Sequence, residues 1–182
     1  FEPGISGEQR DFHLGAPYSK KILVPFCPES ELSGIGEKDF MLCIWYRRGF
    51  DLPESWQGKR LLIHFGAVDY EAKVWVNGEP AGTHRGGYAP FCFEITDLVR
   101  QKDNTVVVRA FDDTRSGKQP KGKQCSDYLS RGVHYTRTTG IWQTVWLEAV
   151  GPAFLSSFRL YPNADQGSIT IQPRLDGDLK GL

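Results

Sequence analysis

The stretch LLIHFGAVDYEAKVWVNGEPAGTHRGGYAPFCFEIT, residues 61–96, decides the fold of this chain. It begins with the apolar run Leu61–Phe65, which is typical of a buried strand, and a second strand follows at Lys73–Val76. The second strand stops at the Asn-Gly pair of residues 77–78, which favours a two-residue hairpin because both residues tolerate a positive φ. Extended structure resumes at Phe91–Ile95. The stretch therefore predicts a β-rich scaffold that holds polar loops.

The composition is that of a globular chain. Of its 182 residues, 40% are hydrophobic and 13% aromatic, which is enough to build a sizeable core. Basic and acidic side chains are balanced at 22 each, so net charge gives no reason to expect nucleic acid or an anionic membrane as a partner. No apolar run approaches the length of a membrane span. We therefore expect neither a nucleic-acid nor a membrane partner.

The cysteine pattern indicates free thiols and no metal. Cys27, Cys43, Cys92 and Cys125 form no CxxC pair, and no histidine lies at zinc-ligand spacing from them. Three of them lie in apolar or aromatic stretches, where a cysteine packs as a small hydrophobe. Packing thiols are favoured over a disulfide framework, which a chain of this size does not need. This pattern favours a cytoplasmic location over a periplasmic or secreted one.

Motifs for cofactors and for nucleophilic catalysis are absent from the sequence. It contains no P-loop, no GxGxxG dinucleotide fingerprint, no HExxH zinc motif and no GxSxG nucleophile elbow. We therefore expect no cofactor and no metal.

The remaining apolar runs predict further strands and no long helix. Lys20–Pro25 reads as a short strand ended by proline, and Phe40–Phe50 as a strand in the middle of a two-sheet core. Asn104–Asp112 and Ile141–Val150 are strong strands. Between them, residues 113–140 form the longest irregular region, and a loop of that length is usually functional or mobile. Eight to ten strands without a helix favour a sandwich or jelly roll.

A boundary is predicted at the Gly-Pro pair of residues 151–152. Beyond it, residues 154–161 and 168–175 look like two strands of a new unit. We therefore divide the chain into a first domain, residues 1–150, and the start of another, residues 151–182.

Several ordered motifs resemble the N-terminal domain of glycoside hydrolase family 2, which includes β-galactosidases, β-glucuronidases and β-mannosidases. They are VPFCPESELSGI, WYRR, LPESWQGKR, GAVDYEAKVWVNG, HRGGYAPFCFEITD and YTRTTGIWQTVWLE, and together they span residues 20–150. The resemblance implies an all-β, jelly-roll β-sandwich of the galactose-binding-domain type, called the sugar-binding domain. Residues 151–182 would then be a linker and the truncated start of an immunoglobulin-like domain.

The resemblance also implies that the catalytic centre lies elsewhere. Family 2 enzymes are similar to one another in using an acid/base glutamate, which usually follows an asparagine, and a nucleophilic glutamate on a TIM barrel. Here Asn77, Asn104 and Asn163 are followed by Gly, Thr and Ala. A barrel needs about 250 residues with strand–helix alternation, and no such segment is present. We therefore assign no catalytic residue.

Three functions remain open at this point. The first is an accessory domain of a retaining glycosidase acting on β-linked glycosides, with a carbohydrate substrate and the TIM barrel of the same parent chain as partners. The second is a free-standing carbohydrate-binding module. The third is a structural β-sandwich that forms homo-oligomers.

Asp69 is the sharpest candidate for substrate contact. It follows Gly66-Ala67-Val68 at a strand edge, where a carboxylate can accept hydrogen bonds from sugar hydroxyls. The resemblance implies the same role, because the matching position in family β-galactosidases is an asparagine that reaches into the active site. The alternative is that Asp69 pairs with Arg85 or Arg137, or caps a turn.

Five further residues are candidates for sugar binding. Arg85 and Tyr88 flank a glycine pair that could bring them close to a ligand, although a wide turn with Tyr88 packed inward fits as well. Lys123 could bind hydroxyls or a uronate carboxylate, or lie in a solvated basic loop. His134 and Arg137 complete the set. In some family β-galactosidases an aspartate near the position of His134 helps to bind sodium, so this histidine gives no reason to expect an ion site.

The tryptophans on the predicted strands are expected in the core. Trp75, Trp142 and Trp146 lie at strand spacing, and buried packing is commoner for such residues than stacking on a sugar ring.

Overall fold

Eleven strands and three short 3₁₀ turns form the regular structure of residues 6–15 and 18–177, the part of the chain that the computed structural model describes. The strands are β1 (Cys43–Phe50), β2 (Arg60–Phe65), β3 (Val68–Asp69), β4 (Glu71–Val76), β5 (Glu79–Arg85), β6 (Phe91–Glu94), β7 (Asn104–Phe111), β8 (Gly140–Ile141), β9 (Val145–Val150), β10 (Ala153–Asn163) and β11 (Ser168–Gly177). The 3₁₀ turns are Glu31–Ser33, Glu54–Trp56 and Thr96–Leu98.

Two antiparallel sheets enclose the main core. One has the strand order β1-β7-β4-β5 and the other β6-β2-β9. Alternate residues of each strand point inward because side chains on a strand alternate between faces. Val74 and Val108 of the first sheet and Ile63 and Phe65 of the second are buried in this way. The chain is therefore an all-β sandwich, as the sequence predicts.

The β4–β5 connection is the two-residue hairpin predicted from the Asn-Gly pair. Val76 lies opposite Glu79, so only two residues form the turn. Asn77 and Gly78 have φ values of 54° and 89°, the positive values that this turn requires.

One side of the sandwich is closed by aromatic packing between β5 and β6. The His84 ring stacks on Phe91 with centroids 4.1 Å apart. The Phe93 ring occupies the space beside Gly82, where any Cβ atom would overlap it. Glycine at position 82 is therefore needed for the two sheets to approach each other on this side.

Two strand predictions are corrected by the structure. Lys20–Pro25 belongs to no ladder among the described residues, and Val24 and Pro25 lie in a turn, so the predicted strand is wrong. Among the described strands β1 pairs with β7 alone, so it lies at the edge of its sheet and not in the middle of the core. It is nevertheless apolar on both faces, because the outward Trp45 ring packs on Trp75 at 5.5 Å and on Phe12 at 5.7 Å.

The two strands predicted after the 151–152 boundary are β10 and β11. They form an antiparallel hairpin that pairs with no other strand of the described residues. No helix among these residues has the length and apolar content needed to cross a membrane.

Candidate functional site

Asp69 lies at the end of β3 and is only 1% exposed. Its backbone is held by pairing with Gly140 of β8. One carboxylate oxygen, Oδ2, accepts a hydrogen bond of 2.7 Å from Nε2 of Gln124. The other, Oδ1, is buried and has no partner within the described residues. A buried carboxylate oxygen without a partner is costly, so this atom is the natural place for a ligand donor.

Gln124 fixes Asp69 to the long irregular region. Its Oε1 accepts a hydrogen bond of 2.7 Å from the backbone N–H of Thr138. Two backbone hydrogen bonds of 2.8 Å join the neighbours of Gln124 to Tyr135. The N–H of Cys125 donates to the carbonyl of Tyr135, and the N–H of Tyr135 donates to the carbonyl of Lys123. The amide is therefore oriented by both ends, and it presents its N–H₂ group to the carboxylate.

Two further buried carboxylates lie near enough to Asp69 to interact with it through their charges. Asp112 follows β7, and its Oδ1 accepts a 2.6 Å hydrogen bond from Gln119 while its Oδ2 has no partner in the described chain. Glu29 comes from the N-terminal part of the chain and accepts hydrogen bonds of 3.0 and 3.2 Å from the N–H of Thr139. Segments far apart in sequence thus bring three acidic groups together.

Burial and mutual repulsion raise the pKa values of this cluster. Burial raises the pKa of Asp69 to about 6, against the hydrogen bond from Gln124, and the charge of Glu29 adds to the increase. Burial, followed by the charge of Asp69, raises the pKa of Asp112 to about 7. The pKa of Glu29 is also raised by burial. Such perturbed carboxylates in a loop-lined region are candidates for a functional site.

The loop after β5 covers Asp69. Any Cβ atom at Gly87 would overlap the Asp69 carboxylate, so only glycine allows the backbone to lie this close. The carbonyl oxygen of Gly87 accepts a 2.8 Å hydrogen bond from the indole N–H of Trp142. Tyr88 is 57% exposed, and its ring meets Trp142 edge-on at 6.1 Å. A pair of aromatic rings therefore lies beside the carboxylate.

The structure corrects the alternatives considered for Asp69 and Tyr88. Asp69 pairs with neither Arg85 nor Arg137, since its partner is Gln124. Arg85 instead forms an ion pair of 2.7 Å with Glu71. Tyr88 is exposed and not packed inward.

The other predicted residues lie in different surroundings. Lys123 and His134 are exposed, and the Lys123 ammonium lies 6.0 Å from the centre of the Tyr135 ring. Arg137 is buried, stacks on Phe40 at 4.2 Å and donates to backbone carbonyls, which include those of Lys38 and Asp127. With its terminal nitrogens used in this way, Arg137 holds the irregular region together.

The expectation of core tryptophans holds only in part. Trp75 is buried, and Trp142 is half-buried at the site. The prediction is wrong for Trp146, which is 44% exposed and stacks on His64 on the outer face of its sheet.

Gln124, Asp112 and Glu29 were not recognised as site residues from the sequence. Glutamine has no motif of its own, and Asp112 reads only as the end of a strand. The one available signal was the length of the irregular region, because an ordered loop of that length needs side-chain contacts that fix its conformation. Among the described residues, no group of three or more His, Cys, Asp or Glu side chains is arranged to hold a metal ion.

Fold and site together define an all-β sandwich whose loops hold a buried carboxylate beside one exposed and one half-buried aromatic ring. The sequence profile of the family described as "Glycosyl hydrolases family 2, sugar binding domain" matches residues 37–149. The chain therefore belongs to glycoside hydrolase family 2, as a sugar-binding domain.

Relatives and solved structures agree with this assignment. The chain is 33% identical to a β-galactosidase of Thermoanaerobacter pseudethanolicus over 134 residues, which cover 73% of this chain and 17% of that protein. It is 27% identical to a β-glucuronidase of Paenibacillus borealis, covering 79% of this chain and 28% of the relative. The apo structure of a β-glucuronidase from Ruminococcus gnavus superposes with a TM-score of 0.78 at 22% identity, over 98% of this chain and 32% of that chain. The last comparison shows the shared fold. The chain thus spans less than a third of the length of each of these proteins.

Proposed function

We propose that this chain is the N-terminal accessory domain of a longer, retaining family 2 glycosidase that acts on β-linked glycosides. The catalytic barrel would lie in the same polypeptide, and this domain would shape the entrance to the sugar site. The observation that carries the proposal is the carboxylate of Asp69, which is buried, oriented by Gln124 and without a partner for Oδ1 in the described part of the chain. Its proposed role is to accept a hydrogen bond from a hydroxyl of the bound sugar.

The energetics of Asp69 support a role in ligand binding. An asparagine at this position could accept the same hydrogen bond from Gln124 without the cost of a buried charge. A residue that lowers stability where a neutral isostere would fit is typical of a functional site, because activity and stability are often in conflict there.

The surroundings of Asp69 fit a sugar better than an apolar ligand. An ionised carboxylate accepts hydrogen bonds from hydroxyls, and the neighbouring rings of Tyr88 and Trp142 offer flat apolar surface to a sugar face. Gly87 closes the site, so the loop at residues 86–88 must shift for a hydroxyl to reach Oδ1. Glycine at two successive positions makes that shift possible at low steric cost.

The β10–β11 hairpin supports a longer parent chain. Its register places eight apolar side chains on one face and mostly polar ones on the other. The apolar face consists of Leu155, Phe158, Leu160, Pro162, Ile169, Ile171, Pro173 and Leu175. The six of these that are not proline are 46–62% exposed. A two-stranded hairpin is marginally stable by itself, so we infer that residues 151–182 begin an immunoglobulin-like sandwich whose other strands cover this face.

The proposal is tested first on the size of the natural protein and then on Asp69. An antibody against this chain should detect a band several times heavier than 20.5 kDa in a native extract. In the purified parent enzyme, Asp69→Ala should reduce kcat/KM for nitrophenyl β-glycosides by about tenfold or more, the effect of losing one hydrogen bond to a charged group. Asp165→Ala, on the turn between β10 and β11, is the matched control and should leave kcat/KM unchanged.

Two results would contradict the proposal. Hydrolysis of nitrophenyl glycosides by the pure 182-residue chain would place catalysis within it. If the natural gene product has a mass near 20.5 kDa and binds galactose or glucuronate in an NMR titration, the protein is a free-standing carbohydrate-binding module.

A further inference from the structure

The side of the sandwich opposite the β5–β6 contact is open. A cavity of about 750 Å³ lies between β1 and β9 and extends inward to Ile63 and Phe65 in the centre of the core. Residues 18 and 20–24, which precede β1, also line it. A volume of this size is within the range of ligand-binding pockets and far exceeds the voids of a packed core.

Both strands that border the cavity lie at the edge of their sheets. β1 is paired only with β7, and β9 only with β2, among residues 6–15 and 18–177. The outer edge of β9 therefore presents a row of backbone N–H and C=O groups, which is a template for another strand. Val145 and Leu147 face the core from β9 but remain only half-buried, because nothing in the described chain packs on their open side.

The charged side chains that line the cavity are all basic. Lys20, Lys21, Arg47 and Arg48 line it, and none of the described carboxylates does. Arg48 lies on the same face of β1 as Tyr46 and Phe50, which point into the core. Its guanidinium is exposed and forms no ion pair or hydrogen bond within the described residues. A group bound in the cavity would gain a favourable charge interaction if it placed a carboxylate beside this guanidinium.

We propose that this cavity is the docking site of an additional β-strand from a part of the parent polypeptide beyond these 182 residues. The strand pairs with the free edge of β9, inserts alternate apolar side chains between the sheets and places a carboxylate against Arg48. The inference rests on the proposed function, because it requires a longer parent chain. A constitutive segment of the same polypeptide fits better than a transient partner, because the cavity is continuous with the hydrophobic core.

Synthetic peptides test the strand directly on the 182-residue protein. The acidic probe is Ac-TVTFTET-NH2, whose glutamate lies on the same face as its apolar side chains, and the charge-reversed control is Ac-TVTFTKT-NH2. Tryptophan fluorescence reports binding because Trp56 lines the cavity and packs against the core. We expect the acidic peptide to bind about tenfold more tightly than the basic one, because it gains an attraction to Arg48 and avoids a repulsion of similar size.

Charge reversal in the protein localises the binding. Arg48→Glu should weaken binding of the acidic peptide by about tenfold and strengthen binding of the basic one. Arg159→Glu makes the same charge change on the polar face of β10 and should alter neither. An acidic peptide with N-methyl groups on every residue cannot pair with β9 and should not bind.

Each contrary result has a distinct meaning. Equal binding of both peptides, or binding of neither at about 1 mM, would overturn the strand proposal even if the parent is a long glycosidase. The same holds if the fully N-methylated peptide binds as well as the acidic one, which would indicate a pocket for apolar molecules. A parent no longer than 182 residues would overturn both this proposal and the proposed function.

Discussion

Replacing Asp69 by asparagine should stabilise the protein at neutral pH. The pKa of Asp69 rises from 3.8 to about 6 because the carboxyl group is buried. The native state therefore keeps its proton to a higher pH than the unfolded state. Stability is then highest below about pH 4 for this group, falls as the pH rises towards 6, and stays reduced above that value. This sign is opposite to that of a carboxylate in an ion pair.

The size of the effect follows from the same shift. About two pKa units at about 1.36 kcal/mol each give up to about 3 kcal/mol of lost stability at neutral pH. Asp69→Asn removes this loss and keeps an oxygen that can accept the hydrogen bond from Gln124. It also removes the charge that helps to raise the pKa of Asp112, which adds to the gain in stability.

Urea unfolding followed by circular dichroism at about pH 4 and about pH 7.5 measures this difference. The free energy of unfolding of the variant should exceed that of the wild type by up to about 3 kcal/mol at the higher pH and by little at the lower pH. Glu71 and Glu94 have lowered pKa values, so their contributions to the pH dependence of stability have the opposite sign. These contributions are the same in variant and wild type and cancel when the two are compared. Asp165→Asn, an exposed site on the hairpin turn, is the control. A variant that is less stable at pH 7.5, or equally favoured at both pH values, would refute the reasoning.

Three further predictions concern the packing around the site and the hairpin. Gln124→Leu leaves the Asp69 carboxylate buried without its donor and should cost about 1–3 kcal/mol of unfolding free energy, measured at pH 7.5 in urea; an unchanged value would mean that water replaces the amide. Gly87→Ala forces the covering loop away from Asp69 and should shift the NMR signals of that loop and lower stability, whereas Gly15→Ala, which meets no atom within 4 Å, should do neither. Ile171→Lys should leave the thermal midpoint of the main sandwich unchanged in the 182-residue chain but lower it in the parent enzyme, where the apolar face is proposed to be covered; equal effects in both would contradict that cover.

The sequence by itself determined the local features of this protein. Alternating and continuous apolar runs predicted β2, β4 and β7, because burial on one or both faces is written in the order of the residues. The Asn-Gly pair predicted the β4–β5 turn, because few residue types accept the two positive φ values. The ordered motifs indicated the family, and Asp69 could be singled out as a loop carboxylate.

Tertiary structure alone decided what surrounds Asp69. Gln124, Asp112 and Glu29 meet there from segments that are far apart in the chain, so no spacing in the sequence connects them. Their raised pKa values arise from shared burial, which depends on packing. The edge position of β1 was equally hidden, because an outer face covered by Trp75 and Phe12 has the same apolar pattern as an inner one. The order of apolar and polar residues along the chain indicates which faces are buried. Which neighbours bury those faces depends on contacts between residues that are distant in the sequence.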